Sequence, residues 1–331
     1  MSNPLQNLMR KATQLTQSGH LTEATEVIQR LLRGHGPATR HACAPATSDS
    51  AGEFISGTHT HANLTRRYKL YIPPGRAGQA LPLVVMLHGC TQNPDDFAAG
   101  TGMNQRARAQ GFFVLYPEQP KDANPSACWN WFKHNHQKRG SGEPALIASL
   151  TQAITRQYGL DARRVFVAGL SAGGAMAAVL AAAYPDIYAA VGVHSGVPAG
   201  AASNVAQALM VMKSGHSGTS THPPITIPTI VFHGDEDKTV HPRNGEQVIA
   251  AIQGHVAGSA SVEQGLSAQG RRYTRSIRHD DQGNVLSEHW LVHGAGHDWS
   301  GGQAAGSYTD IAGPDATGEM LRFFFSQKLK A

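Results

Sequence analysis

The chain of 331 residues lacks a long apolar run, and nowhere do about 18 apolar residues follow one another. We therefore expect no membrane-spanning helix and no membrane partner. The N-terminal twenty residues contain no continuous apolar stretch, so we expect no secretory signal peptide and favour a cytoplasmic location. The phosphate-binding loops G-x-G-x-x-G and G-x-x-x-x-G-K are missing as well, which argues against a nucleotide cofactor.

Cysteine is scarce, since the chain contains only Cys43, Cys90 and Cys128. These three residues allow one disulfide and leave one thiol over. The net charge is only +5, and the densest basic segment, 271–280, alternates like a strand with one solvated face. We therefore expect no nucleic-acid partner. No Cys, Asp or Glu at ligand spacing completes the two His-x-His pairs, so we expect no metal site.

Composition divides the chain into three segments. Over residues 1–33, apolar side chains recur at helical spacing on both sides of a Ser-Gly-His break, which predicts an N-terminal helical hairpin. Residues 34–52 are rich in Gly, Pro, Ala, Ser and Thr and are typical of a linker. Residues 53–331 form the expected catalytic domain. We expect the hairpin to pack on this domain or on a second copy of the chain, which would make a homo-oligomer.

Residues 53–331 alternate strand-like and helix-like segments. The runs LPLVVMLHG, GFFVLYP and RRVFVAG are typical of buried parallel strands, and ALIASLTQAITRQYG predicts a helix between them. This alternation predicts an α/β class with a mostly parallel central sheet and helices on both faces. Ligands bind at the carboxyl ends of strands in such sheets. Of three irregular segments, 117–142 and 199–226 are expected to border the site, and 254–270 is the third.

The motif Gly169-Leu170-Ser171-Ala172-Gly173 lies between an apolar strand and an alanine-rich helix. A sharp strand-to-helix turn exposes the serine hydroxyl at the top of a sheet, and only small neighbours two residues away avoid a clash. This context favours a nucleophilic serine over a glycine-rich turn that happens to contain one. We expect one oxyanion-hole donor from the N–H of Ala172 and a second from the loop after an early strand, with Cys90 as the candidate.

A nucleophilic Ser171 needs an acid and a histidine later in the chain, each after a strand. Asp237 is the preferred acid because it can reach across its loop, while Asp235 is the competitor and would otherwise cap the strand end. His297, in a glycine-rich loop, is the preferred base. His293 is the alternative, but it falls at the end of the strand.

Tryptophans cluster near these positions. Trp129 and Trp131 follow the GFFVLYP strand, and Trp299 lies two residues after the candidate base. Exposed tryptophans would stack on an aromatic or polyester substrate, so all three are candidate substrate-binding residues. Ordinary burial beneath the loop is the alternative.

Several longer segments together resemble the polyhydroxybutyrate depolymerase family of esterases, which is similar to feruloyl and acetyl-xylan esterases. The segments are LHGCTQNPDDFA, CWNWF, GLSAGGAMA, VHSGVP, HGDEDKTVHP, GHDWSGG and YTDIAGPDATGEMLRFF. The resemblance implies an α/β-hydrolase fold, a triad of Ser171, Asp237 and His297, and the same two oxyanion donors. It also implies a Cys90–Cys128 disulfide, which would suggest export because such bonds are unexpected in a reducing cytoplasm.

The chain is therefore expected to be a serine esterase that works without a cofactor, with an ester as its partner. The first expected substrate is a polyhydroxyalkanoate polyester or its oligomers. The alternatives are feruloyl, acetyl-xylan or other aromatic esters, including synthetic polyesters. From a different class, a hydrolase-like scaffold without catalysis would bind a polymer granule or a protein partner.

Overall fold

The structure is a computed structural model, and the residues that it describes are 51–75, 78–215, 223–252 and 259–329. The predicted hairpin over 1–33 lies outside these residues, together with all but the last two positions of the predicted linker. The proposed oligomer contact through the hairpin and the fate of Cys43 therefore stay predictions.

Ten strands of the described chain form a single sheet. Their bounds are β1 Glu53–His61, β2 Leu64–Ile72, β3 Leu83–Leu87, β4 Phe113–Pro117, β5 Val165–Leu170, β6 Ala190–His194, β7 Thr229–Gly234, β8 Ala260–Leu266, β9 Arg272–His279 and β10 Val285–Val292. They lie in the order β1-β2-β4-β3-β5-β6-β7-β10-β9-β8. Every pairing from β4 through β10 is parallel, and the outer pairings are antiparallel. The predicted mostly parallel sheet is confirmed.

Helices cover both faces of this sheet. Their bounds are α1 Pro94–Thr101, α2 Met103–Gln110, α3 Gly142–Gln157, α4 Ala172–Ala183, α5 Val205–Ser214, α6 Arg243–Ala250 and α7 Ala316–Phe325. Successive residues of a strand point to opposite faces, so Val85 packs in one buried cluster with residues of α3, α4, α5 and α6. Val84 and Met86 pack in a second cluster with residues of α1, α2 and α7.

Parallel pairing brings the loops after β3, β5, β7 and β10 to one edge of the sheet. Two further strands, β11 (Trp299–Ser300) and β12 (Thr309–Asp310), pair in parallel and fold the chain back over this edge. All candidate catalytic positions lie in these loops. Among the described helices, none has the length and apolar character needed to cross a bilayer.

Two segments predicted to be irregular contain regular structure. The segment 199–226 contains α5, and 254–270 contains β8. Both elements are highly exposed, with side chains such as Leu209, Met210 and Val262 more than half accessible. Helix α5 buries only Ala208 and Val211, and no residue of β8 is buried, so neither segment carries the apolar periodicity from which an element is predicted.

Candidate functional site

Ser171 lies in the sharp turn between β5 and α4. Its backbone has φ 57° and ψ −118°, an unfavourable conformation for a residue with a Cβ. The flanking glycines permit the turn. A Cβ on Gly173 would lie 2.0 Å from the Leu87 carbonyl oxygen, and one on Gly169 would lie 2.4 Å from the Gly173 carbonyl. The turn geometry thus explains the G-x-S-x-G pattern, and the Ser171 residue is partly exposed.

Asp237 and His297 are in direct contact, with Nδ1 of the imidazole 2.7 Å from Oδ2 of the carboxylate. The other carboxylate oxygen accepts the backbone N–H groups of Thr239 at 2.9 Å and Val240 at 2.8 Å. Burial alone would raise the pKa of Asp237. Hydrogen bonds from His233 and His297 outweigh it and hold that pKa well below its ordinary value. Asp237 is therefore ionised, so the His297 Nδ1–H is the donor in the contact between them.

His194, which sequence reasoning missed, joins the serine turn to the histidine loop. Its carbonyl accepts the Ser171 N–H at 2.9 Å, and its Nε2 accepts the Ser300 N–H at 2.9 Å. The ring is buried, stacks on Phe232 and Trp299, and therefore has its pKa lowered to about 3. The imidazole stays neutral at physiological pH, with the proton on Nδ1 facing Ser195 Oγ at 3.1 Å.

A second Asp–His pair lies close by. Asp235 contacts His293 Nδ1 at 2.8 Å and accepts the Gly294 N–H at 2.7 Å. Nε2 of the same histidine faces Thr274 Oγ1 at 2.9 Å. These contacts cap the ends of β7 and β10, and a pocket of about 720 Å³ opens beside them. The geometry thus couples Asp235 to His293 and Asp237 to His297, so the two pairs do not exchange partners.

The turn after β3 lies against the serine turn, with an ideal Cβ on Gly89 3.6 Å from the Ser171 Cβ. The Gly89 N–H donates to Gln92 Oε1 at 2.9 Å, and the Thr91 N–H donates to Ser126 O at 2.7 Å. The amide of Cys90, between them, has no acceptor within the described residues. The structure thus leaves the predicted oxyanion donor available.

A buried polar network lies under this turn. His88 Nδ1 bonds the Gly89 carbonyl at 2.8 Å, and His88 Nε2 accepts the Gln119 N–H at 3.1 Å. The Gln119 side chain donates to Glu143 at 2.6 Å, and Asn130 donates to the same carboxylate from both its backbone and its side chain. Sequence reasoning missed Glu143, because a glutamate in the first turn of a helix is ordinarily explained by its favourable interaction with the helix dipole.

A disulfide joins the two loops above this network, with the sulfur atoms of Cys90 and Cys128 2.02 Å apart. The family resemblance implied this bond. Within the described residues, no group of three His, Cys, Asp or Glu side chains is arranged to hold a metal ion.

The tryptophans do not provide an exposed platform, which corrects their expected role in substrate stacking. Trp129, Trp131 and Trp299 are 0%, 6% and 1% exposed. Trp129 packs against the His88 ring, and the Trp299 indole N–H donates to Thr317 Oγ1 at 3.0 Å. Their large apolar rings are more favourable beneath the loops than in solvent.

The strand order, the strained serine after β5 and the Asp–His pair after β7 and β10 define an α/β-hydrolase-like protein. The family described as "Esterase PHB depolymerase" matches residues 66–259, more than half of the chain, and the chain belongs to this family. A solved acetyl xylan esterase from Aspergillus awamori has the same fold. It covers 78% of this chain and 94% of its own, with a TM-score of 0.59 at 22% identity.

Two curated relatives are similar in sequence. Poly(3-hydroxyalkanoate) depolymerase C of Paucimonas lemoignei is 30% identical over 259 residues, 73% of this chain and 60% of the relative. Acetylxylan esterase A of Emericella nidulans is 32% identical over 205 residues, 54% of this chain and 63% of the relative. The chain thus spans about 60% of the length of these relatives.

Proposed function

We propose that the protein is a serine esterase that hydrolyses carboxylic esters through an acyl-enzyme. The proposal rests on a strained Ser171 in the turn after β5 and on the Asp237–His297 contact between the loops after β7 and β10, which lie at the same edge of the sheet. A serine hydroxyl is a weak nucleophile and needs a base and an anion-stabilising pocket. Family membership supports the same class of reaction.

In the proposed reaction, His297 Nε2 takes the Ser171 proton as Oγ attacks the ester carbonyl carbon. The N–H groups of Ala172 and Cys90 stabilise the oxyanion that forms. The C–O bond to the alcohol then breaks, and His297 gives its proton to the leaving alkoxide. Water repeats the sequence, so the acid leaves and the serine is restored. Asp237 holds the imidazole tautomer and stabilises its protonated form.

The proposed substrates are polyhydroxyalkanoate chains or their oligomers. This choice rests on the depolymerase from Paucimonas lemoignei, which covers more of the chain than the acetylxylan esterase does. An acetyl ester of a polysaccharide is the second candidate, and the relative from Emericella nidulans supports it. The Cys90–Cys128 disulfide favours an oxidising compartment over the cytoplasm expected from the first twenty residues.

The esterase proposal is tested with p-nitrophenyl acetate and butyrate, comparing wild type with Ser171→Ala. We expect wild type to release nitrophenol and the variant to lose at least about 10³-fold in kcat, because the nucleophile is gone. Ser195→Ala is a matched control, since Ser195 is a buried serine with a positive φ outside the proposed reaction. Rates no higher than that of buffer alone in both wild type and Ser171→Ala would instead support a non-catalytic binding protein. Equal rates above that level would overturn Ser171 as the nucleophile. Hydroxybutyrate oligomers, methyl ferulate and acetylated xylan then rank the substrate classes.

A further inference from the structure

Tyr308 combines strain, exposure and a position beside the proposed site. It lies between β11 and β12 with φ 52°, in the left-handed region that bulky side chains rarely adopt. Within the described parts of the chain, it is the one aromatic among the exposed large apolar side chains, at 45% exposure. Such strain persists only where the surroundings impose it, and it is concentrated at functional sites.

The loop that carries Tyr308 is held firmly in place. The Ser307 N–H donates to Asp96 Oδ1 at 2.8 Å, and the Gln92 side chain donates to the Ser307 carbonyl at 3.1 Å. The Tyr308 carbonyl accepts the Trp299 N–H at 2.7 Å. The backbone at Ser307 and Tyr308 is therefore held to α1 and to the loop that carries the candidate base.

The hydroxyl of Tyr308 reaches the oxyanion turn. Its oxygen lies 3.1 Å from Thr91 Oγ1, and the Thr91 hydroxyl donates to the Cys90 carbonyl at 2.6 Å. Since the threonine hydroxyl proton is used on Cys90, the Tyr308 hydroxyl is the donor in the contact between them. Thr91 also has a positive φ, 65°, which is unusual for a β-branched residue. Two strained residues thus meet at the rim of the proposed oxyanion hole.

We propose that Tyr308 determines substrate specificity, an inference that rests on the proposed esterase function. Its ring supports an extended apolar portion of the ester beside the scissile carbonyl, as in a hydroxyalkanoate oligomer, and favours such esters over compact acetyl esters. Its hydroxyl fixes the oxyanion turn through Thr91. The tryptophans are buried and cannot stack on a substrate, whereas the Tyr308 ring is accessible.

The test compares methyl acetate with a methyl-esterified 3-hydroxybutyrate trimer, neither of which has an aromatic leaving group, by titrating the released acid. We expect Tyr308→Ala to lower the ratio of kcat/KM for trimer over acetate about tenfold, mainly through a higher KM for the trimer. Tyr308→Phe retains the ring and should keep the ratio within about threefold of wild type, while kcat falls a few-fold on both esters. Ile311→Ala, an exposed apolar control on the same segment, should match wild type.

An active wild type whose ratio is unchanged in Tyr308→Ala would overturn the role of Tyr308 alone. A loss of discrimination in Tyr308→Phe as large as in Tyr308→Ala would also overturn it, since the ring would then not be the determinant. A wild type that hydrolyses neither ester would overturn the proposed esterase function and this inference with it. Thermal unfolding of each variant distinguishes lost discrimination from lost folding. If Tyr308→Ala does not fold, Tyr308→Asn, which lacks the ring but suits the left-handed backbone, should show the same loss of about tenfold, and an unchanged ratio would overturn the proposal.

Discussion

The Glu143 carboxylate should stabilise the fold more than any surface charge, although no proposed reaction step uses it. Its side chain is fully buried at the start of α3. It accepts the Asn130 N–H at 2.8 Å, the Asn130 side-chain amide at 2.7 Å and the Gln119 amide at 2.6 Å. Arg66, itself 7% exposed, lies 3.5 Å away. Glu143→Ala would leave three donors and a buried guanidinium without this acceptor.

The size of the effect follows from these contacts. Each buried donor left unsatisfied costs about 1–3 kcal/mol, and removal of one partner of a buried ion pair costs about 3–5 kcal/mol. Because these contributions share one site and the site can relax, they do not add. We expect Glu143→Ala to lower the free energy of unfolding by about 4 kcal/mol and Tm by about 10 °C.

Urea denaturation followed by circular dichroism measures this change. Glu319→Ala is the matched control, because Glu319 contacts Arg322 at 2.7 Å on the surface and should contribute no more than about 1 kcal/mol. A loss below about 1 kcal/mol in Glu143→Ala would refute the reasoning. Glu143→Gln tests the charge separately. Burial would raise the pKa of Glu143, but hydrogen bonds from His136, Asn130 and Gln119 lower it. The contribution of this carboxylate is therefore present above its unfolded-state pKa and lost as pH falls through the folded one.

Two further predictions concern the acid that pairs with His297 and the buried imidazole of His194. Asp237→Asn should lower kcat for p-nitrophenyl butyrate by about 10³–10⁴-fold, while Asp235→Asn changes it less than about fivefold, and the reverse order would reassign the acid. Because burial lowers the pKa of His194 to about 3, the unfolded state binds the extra proton between about pH 6.5 and pH 3, and stability is lost as pH falls through that window. The proton uptake linked to His194 should thus lower the free energy of unfolding by about 2 kcal/mol when the pH falls from 7 to 5. Urea titrations of His194→Gln should show a flatter dependence, and an unchanged slope would contradict this.

The parts of the fold that were predicted are those whose physical cause is local in sequence. The core strands are continuous apolar runs because both of their faces are buried, as for β3 and β5. The serine turn was predictable because its glycines are required by close backbone contacts, such as that between Gly173 and the Leu87 carbonyl. The edge strand β8 was not predicted, because nearly all of its residues are exposed and no apolar alternation marks it.

Within the site, the residues that were missed act through contacts between distant segments. Glu143 and Asn130 lie thirteen residues apart, and His194 and Ser300 lie 106 apart. No spacing rule links such pairs, since only the folded sheet brings them together. The sequence allowed two interpretations of the tryptophans, substrate stacking or burial. Their burial depends on loops whose course no local pattern specifies. Tyr308 carries no signal of its own beyond its place in a longer segment.

The most direct test of the proposed site is covalent labelling with diethyl p-nitrophenyl phosphate, followed by mass spectrometry of the digested protein. We expect one diethylphosphoryl adduct, on the peptide that contains Ser171, because only a serine with an adjacent base and oxyanion donors displaces nitrophenol rapidly. His297→Ala should slow labelling by at least about 100-fold. Labelling at another residue, or an unlabelled protein after prolonged exposure, would contradict the account.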